Sequence, residues 1–229
     1  MSTKNPLWVV DLGQQDYTTT WLMQKKILEA KLQGKIPNVL LLVEHPPTYT
    51  RGRQAQRDNE GAFSNNTLLI DVERGGRITW HGPGQMVAYP IIHLPQANIK
   101  KFVDILIKVS ALSLKEYKID AFCNQKSTGV WANDLHGCPK KIGFIGLAVK
   151  RWITYHGLSL NINNNLEPFK MISPCGLSSE DISSVQQCSS IDVSAEIIKN
   201  NFVKFFSEAT EQESIQLTPV DIAEKQDLF

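Results

Sequence analysis

The chain has 229 residues, enough to bury a sizeable core in one large or two small domains. Its 42% hydrophobic and 21% charged residues are too balanced for disorder, and a formal charge of +1 gives no global field to recruit nucleic acid or an anionic membrane. No apolar run reaches the roughly 18 to 20 residues that span a bilayer, and the opening MSTKNPLWVVDLG lacks a signal-peptide core, so the expected address is cytoplasmic.

Leu7 to Asp11 predicts a short strand. Met23, Ile27 and Ala30, with Trp21, Leu28 and Leu32 alongside, form a helical stripe that Gly34 closes. Asn38 to Glu44 is an apolar run of strand length, and His45-Pro46-Pro47 can extend neither a ladder nor a helix, so the chain must turn there. Arg51 to Asn66 is polar and turn-rich and reads as a long surface loop. Leu68 to Val72 and Met86 to His93 predict strands on either side of a glycine-dense turn from Arg74 to Gln85. Ile99, Phe102, Val103, Leu106 and Val109 place a second helix from Asn98 to about Lys118.

Gly129 to Ala132, Lys141 to Val149 and Ile153 to Ile162 read as β-segments, the last two as a hairpin. Ile198, Phe202, Phe205 and Phe206 mark a final helix, with Asp192 as N-cap and Glu196 in its first turn; the polar tail after Thr210 is expected to fray. Strands outnumber helices and do not alternate with them. The expected fold is therefore α+β, a mixed, mainly antiparallel sheet packed with helices in a single domain over residues 1–229.

Chemistry concentrates in two places. The segment Arg74-Gly75-Gly76-Arg77-Ile78-Thr79-Trp80-His81-Gly82-Pro83-Gly84-Gln85 lets backbone approach a ligand closely. It lacks both the GK[ST] of a P-loop and the GxGxxG of a dinucleotide site. The four cysteines, Cys123, Cys138, Cys175 and Cys188, form no metal-binding spacing, so no metal is expected. Cys175 lies in Ile172-Ser173-Pro174-Cys175-Gly176-Leu177, where proline fixes the backbone and glycine clears space beside the thiol. Cys138, also next to a proline, is the rival thiol. A base could come from His45, His81, His93, His136 or His156, which leaves a Cys/His hydrolase open.

Taken together, the segments VEHPPTYTRG, RGGRITWHGPGQMVAYPI, KKIGFIGLAV, YHGLSLNI and ISPCG, in order over about residues 38–185, resemble the lipoyl(octanoyl) transferase family. These are octanoyl-acyl carrier protein:protein N-octanoyltransferases of lipoate biosynthesis. The resemblance implies a fold similar to the biotin and lipoate protein ligase catalytic domain. It also implies transfer of octanoyl from acyl carrier protein to a lysine amine of lipoyl domains, those of 2-oxoacid dehydrogenases and the glycine cleavage H protein. No cofactor is implied, because a thioester is already activated.

By the same resemblance Cys175 carries the acyl group and Lys141 serves as acid and base. The implied substrate-binding set is Arg74, Gly75, Gly76, Arg77, Ile78, Thr79, Trp80 and His81, with Phe144, Ile145 and Gly146, and Gly157, Leu158 and Ser159. Trp80 stands where the family usually has Tyr, and Asn133 to Pro139 looks like a longer turn. The KIGFIG register nevertheless favours Lys141 over Lys140, which is expected to face solvent.

At pH 7 a thiol of pKa about 8.5 needs a shift of about 1.5 units to be half ionised, against about 3.4 for an ammonium near 10.4. A thiolate beside an ammonium is the expected resting pair. Arg51, Arg53 and Arg57, or Lys140 and Lys150-Arg151, are candidates for docking an acidic carrier. The alternatives are an ATP-dependent lipoate or biotin-type protein ligase, an octanoyl/lipoyl amidotransferase, and a non-catalytic module that binds an acylated carrier.

Overall fold

The computed structural model describes residues 5–55, 69–94, 97–124, 127–172 and 178–224. In chain order these form β1 (Asn5–Gln14), α1 (Tyr17–Leu32), β2 (Asn38–Glu44), β3 (Thr48–Arg51), β4 (Leu69–Asp71), β5 (Ile78–His81), β6 (Gln85–Ile91) and α2 (Ile99–Ser113). There follow β7 (Phe122–Asn124), β8 (Ser127–Asn133), β9 (Pro139–Lys150), β10 (Ile153–Asn161), α3 (Val185–Cys188), α4 (Ala195–Ala209), β11 (Gln212–Leu217) and α5 (Pro219–Glu224). None of the described helices is long and apolar enough to cross a membrane.

Eight strands make one sheet in the order β11-β1-β2-β6-β10-β9-β8-β7. β1 pairs in parallel with both β11 and β2, and every later pairing in this sheet is antiparallel, giving the mixed α+β architecture expected from sequence. The period-two alternation of strands sends Leu7 and Val9, Leu40 and Leu42, Met86 and Ala88, and Leu158 and Leu160 to one face. There they meet Phe102 and Leu106 of α2 and Phe202 and Phe206 of α4. Val39, Leu41 and Val43, with Val87, Tyr89 and Ile91, face the other way, against Ile27 and Leu28 of α1. Each such side chain contributes about 1.5–3 kcal/mol through burial, so both faces of the sheet are committed to core.

A second sheet, β4-β3-β5, carries the glycine-rich stretch. β5 lies inside the segment expected to be only a turn, because Ile78 to His81 pairs antiparallel with Thr48 to Arg51. Tyr17 of α1 stacks on His81 of β5, with ring centroids 5.5 Å apart, which ties this small sheet to the α1 side of the large one.

Three further expectations change. The tail after Thr210 supplies β11, which pairs Gln212 with Asn5 and Leu217 with Val10, and then α5, whose Ile222 is buried. The cap of α4 is Ser194, whose hydroxyl accepts from the Ile197 N–H, and not Asp192; Glu196 does sit in the first turn. Of the loop expected from Arg51 to Asn66, Arg51 ends β3, and residues 56–66 lie outside the described residues.

Candidate active site

On the α1 side of the large sheet, Gly146 of β9 and Gly157 of β10 are directly opposed across the ladder. The missing side chain of Gly157 lets β10 close on β6, since a Cβ there would overlap the Ala88 carbonyl oxygen, whereas that of Gly146 leaves a trough. Arg74 and Gly75 cross above it: a Cβ on Gly146 would lie 3.0 Å from the Gly75 carbonyl oxygen and 3.1 Å from Arg74 Cδ. The Gly75 N–H donates to the Leu147 carbonyl at 2.9 Å and fixes this crossing.

Arg74 is buried, with Nη2 donating to Thr50 O at 2.7 Å and Thr50 Oγ1 at 2.8 Å, and Nη1 donating to Gly75 O at 3.0 Å. A guanidinium is therefore locked behind the cleft. The cleft is lined by Arg74, Gly75, Gly76, Arg77, Ile78, Thr79 and His81 together with Phe144, Ile145, Gly146, Gly157, Leu158 and Ser159. Those thirteen residues come from three separate stretches, the first of them far in sequence from the β9–β10 hairpin that carries the other two.

Trp80, expected in the same set, is placed elsewhere. Alternation along β5 points Thr79 and His81 to the cleft and sends Trp80 into a cluster with Phe144, Phe169, Ile172 and Ile182, where it meets Phe169 edge to face; Ile78 borders both the cluster and the cleft. Gly82 is needed for that placement, since a Cβ there would overlap the indole. Tyr17, Val87, Tyr89 and His156 also line the cleft and were not among the expected residues. The alternation of Val87 and Tyr89 about Ala88 is the sequence signal that could have found two of them.

Lys141 is fully buried. Its Nζ donates to Ser127 Oγ at 2.9 Å and Thr128 O at 2.7 Å, and lies 5.0 Å from the centre of the Phe144 ring. Three residues apart on a regular strand, Lys141 and Phe144 would face opposite ways. Here Lys141 pairs with Trp131 and Gly143 with Val130, so Ile142 is an extra residue, a β-bulge that brings both side chains to one face. Lys140 is half-exposed, and its Nζ donates to the Glu180 carbonyl at 2.7 Å. The preceding turn is closed by Asp134, whose carboxylate accepts from the N–H groups of His136 and Cys138.

Cys175 lies outside the described residues. On either side of it, Ile172 and Ile182 pack in the Phe144 cluster, Ile182 bridges Lys141, and the Ser183 N–H donates to the Lys141 carbonyl at 3.0 Å. Of the other thiols, Cys123 and Cys138 are exposed, and Cys188 is buried, which raises its pKa.

Three of the five histidines are buried behind the cleft. His45 Nδ1 donates to the Gln15 carbonyl at 2.7 Å and its Nε2 accepts from the Tyr89 hydroxyl at 2.9 Å; burial pushes its pKa down to about 4. His81 Nδ1 donates to Gln85 Oε1 at 2.8 Å, and burial likewise drives its pKa well below the ordinary value. Tyr17, between them, is pushed up to about 12 by burial. His156 Nε2 lies 3.4 Å from Glu73, whose carboxylate also takes Lys25 at 2.8 Å and Trp21 Nε1 at 2.9 Å. The His156 hydrogen bond, followed by those from Lys25 and Trp21, holds Glu73 below the usual carboxylate range despite its partial burial. His93 and His136 are exposed.

The docking arginines are engaged locally, Arg51 with the Asp71 carboxylate and Arg53 with the Glu73 carbonyl, and Arg57 lies outside the described residues. A larger cavity of about 540 Å³ opens near Lys31, His93 and Phe102 but contains none of the expected substrate-binding residues and not Lys141, whereas the cleft measures about 40 Å³. Chemistry, not size, marks the site. Among the described residues no three His, Cys, Asp or Glu side chains gather to hold a metal ion.

The family model for the lipoyl protein ligase A/B catalytic domain matches residues 16–207. An octanoyltransferase of Alkaliphilus metalliredigens (strain QYMF) is 37% identical over 216 residues, covering 91% of this chain and 97% of that one. Among solved structures, a putative lipoate protein ligase from T. acidophilum with bound lipoic acid superposes with a TM-score of 0.76 at 16% identity, over 99% of this chain and 93% of that one. A lipoate-protein ligase A bound with ATP gives 0.72 at 15% identity, over 98% and 95%. These two likenesses speak for the fold. With the family model covering most of its length and a relative this similar from end to end, the chain belongs to the lipoyl/octanoyl transferase family, that of the lipoyl protein ligase A/B catalytic domain.

Proposed function

We propose that the chain is a cytoplasmic octanoyltransferase that moves octanoyl from acyl carrier protein to a lysine amine of lipoyl domains, those of 2-oxoacid dehydrogenases and the glycine cleavage H protein. The acyl group travels on Cys175, and Lys141 handles the protons. The observation that carries this reading is Lys141 itself: a lysine completely removed from solvent, turned by a bulge onto the face of Phe144, beside the segment that leads to Cys175. Lysines are almost never fully buried unless paired, and among the described residues Lys141 donates to a neutral hydroxyl and a carbonyl.

The Cys175 thiolate attacks the thioester carbonyl, and the carrier thiol leaves with a proton from the Lys141 ammonium. The acceptor amine then attacks the Cys175 thioester. Its proton returns to the Lys141 amine as the Cys175 thiolate departs, which restores the resting pair. Arg74 to Thr79, Phe144 to Gly146 and His156 to Ser159 form the walls along which the donor lies.

Incubation with octanoyl carrier protein alone should add one octanoyl group to Cys175, read by intact mass and peptide mapping. Undiminished turnover by Cys175→Ala would remove the covalent step. The ligase reading draws on the structural likeness to lipoate-protein ligase A bound with ATP; it requires turnover of free octanoate that depends on ATP, and such turnover without transfer from the carrier would replace the present one.

A further inference from the structure

Buried polar atoms in folded proteins are nearly always paired, so each exception asks for a cause. Among the described residues five buried side-chain atoms have no partner: Gln24 Nε2, Thr79 Oγ1, His156 Nδ1, Asn164 Oδ1 and Gln212 Oε1. Thr79 and His156, from different sheets, both line the glycine-floored cleft. Their unpaired atoms are of complementary kinds. Because Glu73 only accepts, the His156 proton belongs on Nε2, and Nδ1 is left with a lone pair that needs a donor. The Thr79 hydroxyl can give its hydrogen to a carbonyl.

His156 also carries a φ of 55° inside β10, a conformation that side-chain-bearing residues avoid. It is held there by its own N–H donating to Gln24 Oε1 at 2.8 Å. Strain of this kind persists where surrounding structure enforces it, and it gathers at ligand sites. An octanoyl tail is hydrocarbon and can pair with neither atom, and a thioester carbonyl can satisfy only Thr79. A secondary amide supplies both a carbonyl and an N–H.

We propose that Thr79 and His156 bind the secondary amide next to the sulfur of a pantetheine-type thiol, so that the cleft selects acyl donors bearing an amide. This rests on the reading of the chain as a thioester-dependent acyltransferase. A hydroxyl that only supported the fold would stabilise it. An unpaired one does not, so Thr79→Val, nearly isosteric, should melt at or above the wild-type temperature while losing donor recognition.

The test compares octanoyl-N-acetylcysteamine with S-ethyl octanethioate, which lacks the amide, as donors to a lipoyl domain, with octanoyl carrier protein as control. Wild type should prefer the amide donor in kcat/KM by about three- to tenfold. Thr79→Val should bring that ratio towards one through KM, and Thr79→Ser, which keeps the hydroxyl, should retain the preference. A wild type without preference, a Thr79→Val that keeps the preference or melts lower, or reaction with the carrier but neither small thioester would each overturn the amide site while leaving the acyltransferase reading intact. No turnover with the carrier itself would overturn that reading, and the amide site with it.

Discussion

Gly129 is where the backbone makes room for Lys141. A Cβ at this position would sit 2.5 Å from Lys141 Cε and 2.5 Å from the Gly143 carbonyl, at a φ of 149°. Gly129→Ala should therefore push the ammonium away from Ser127 and Thr128 and cost about 1–3 kcal/mol through overpacking. Transfer should fall by at least about tenfold, read by single-turnover kinetics beside denaturant unfolding. A variant with reduced stability and full activity would show that the position of the lysine is not critical.

At this scale the sequence offers what residue identity alone carries. The Pro-Cys-Gly frame and the Lys-Lys-Ile-Gly register are local features. The direction of Trp80 was not readable, because glycines on both sides of Arg77 to His81 suppressed the strand reading, and with it the alternation that separates Trp80 from Thr79. The five histidines were equivalent by composition. Only burial divides His45, His81 and His156 from the exposed pair.

Among the elements, β9 does most to assemble the site, and it does so by being irregular. Ile142 is the extra residue of its bulge and is fully buried in the α2–α4 core. Deleting Ile142 should restore regular pairing, and since Lys141 and Phe144 then stand two apart, both stay on one face. The deletion should cost about 3 kcal/mol or more, because a fully buried side chain is lost from the core, while the folded variant retains transfer. Ile142→Val should lose about 0.5–1.5 kcal/mol and likewise retain transfer. A folded deletion variant without transfer would show that Lys141 depends on the bulge itself and not only on the face it occupies. A bulge leaves no mark in the hydrophobic pattern of KKIGFIGLAV, since an extra apolar residue reads as one more strand position. β11 was hidden for a different reason. Most of QESIQL is exposed at the sheet edge, and its partner β1 lies about two hundred residues away, so no local pattern announces it. By contrast, the strands buried on both faces, β2 and β6, were legible from their continuous apolar runs.

Across the molecule, three buried histidines on the α1 side of the sheet set the response to acid. All have pKa values lowered by burial, His45 to about 4. In the unfolded chain a histidine protonates near pH 6.5. Below that pH the unfolded state binds protons that the folded state refuses, so stability should fall from about pH 6.5 downwards. For His45 the loss levels off near pH 4, where the folded form also protonates, and amounts to about 3 kcal/mol. Chemical unfolding at pH 7.5 and pH 5 should show this, with a smaller difference in His45→Gln. Equal stability at the two pH values would contradict the buried neutral state.

The placement of β1 between β2 and β11 carries a consequence for how the protein is made. β2 follows β1 closely, but the strand on its other side comes about two hundred residues later, Asn5 meeting Gln212. On a ribosome working at about 5–20 residues per second, a growing chain holds β1 with one edge open for roughly 10 to 40 seconds. An open parallel edge can template pairing with another nascent chain. Completion of the large sheet thus waits for β11, and dependence on chaperones should peak just before that strand emerges.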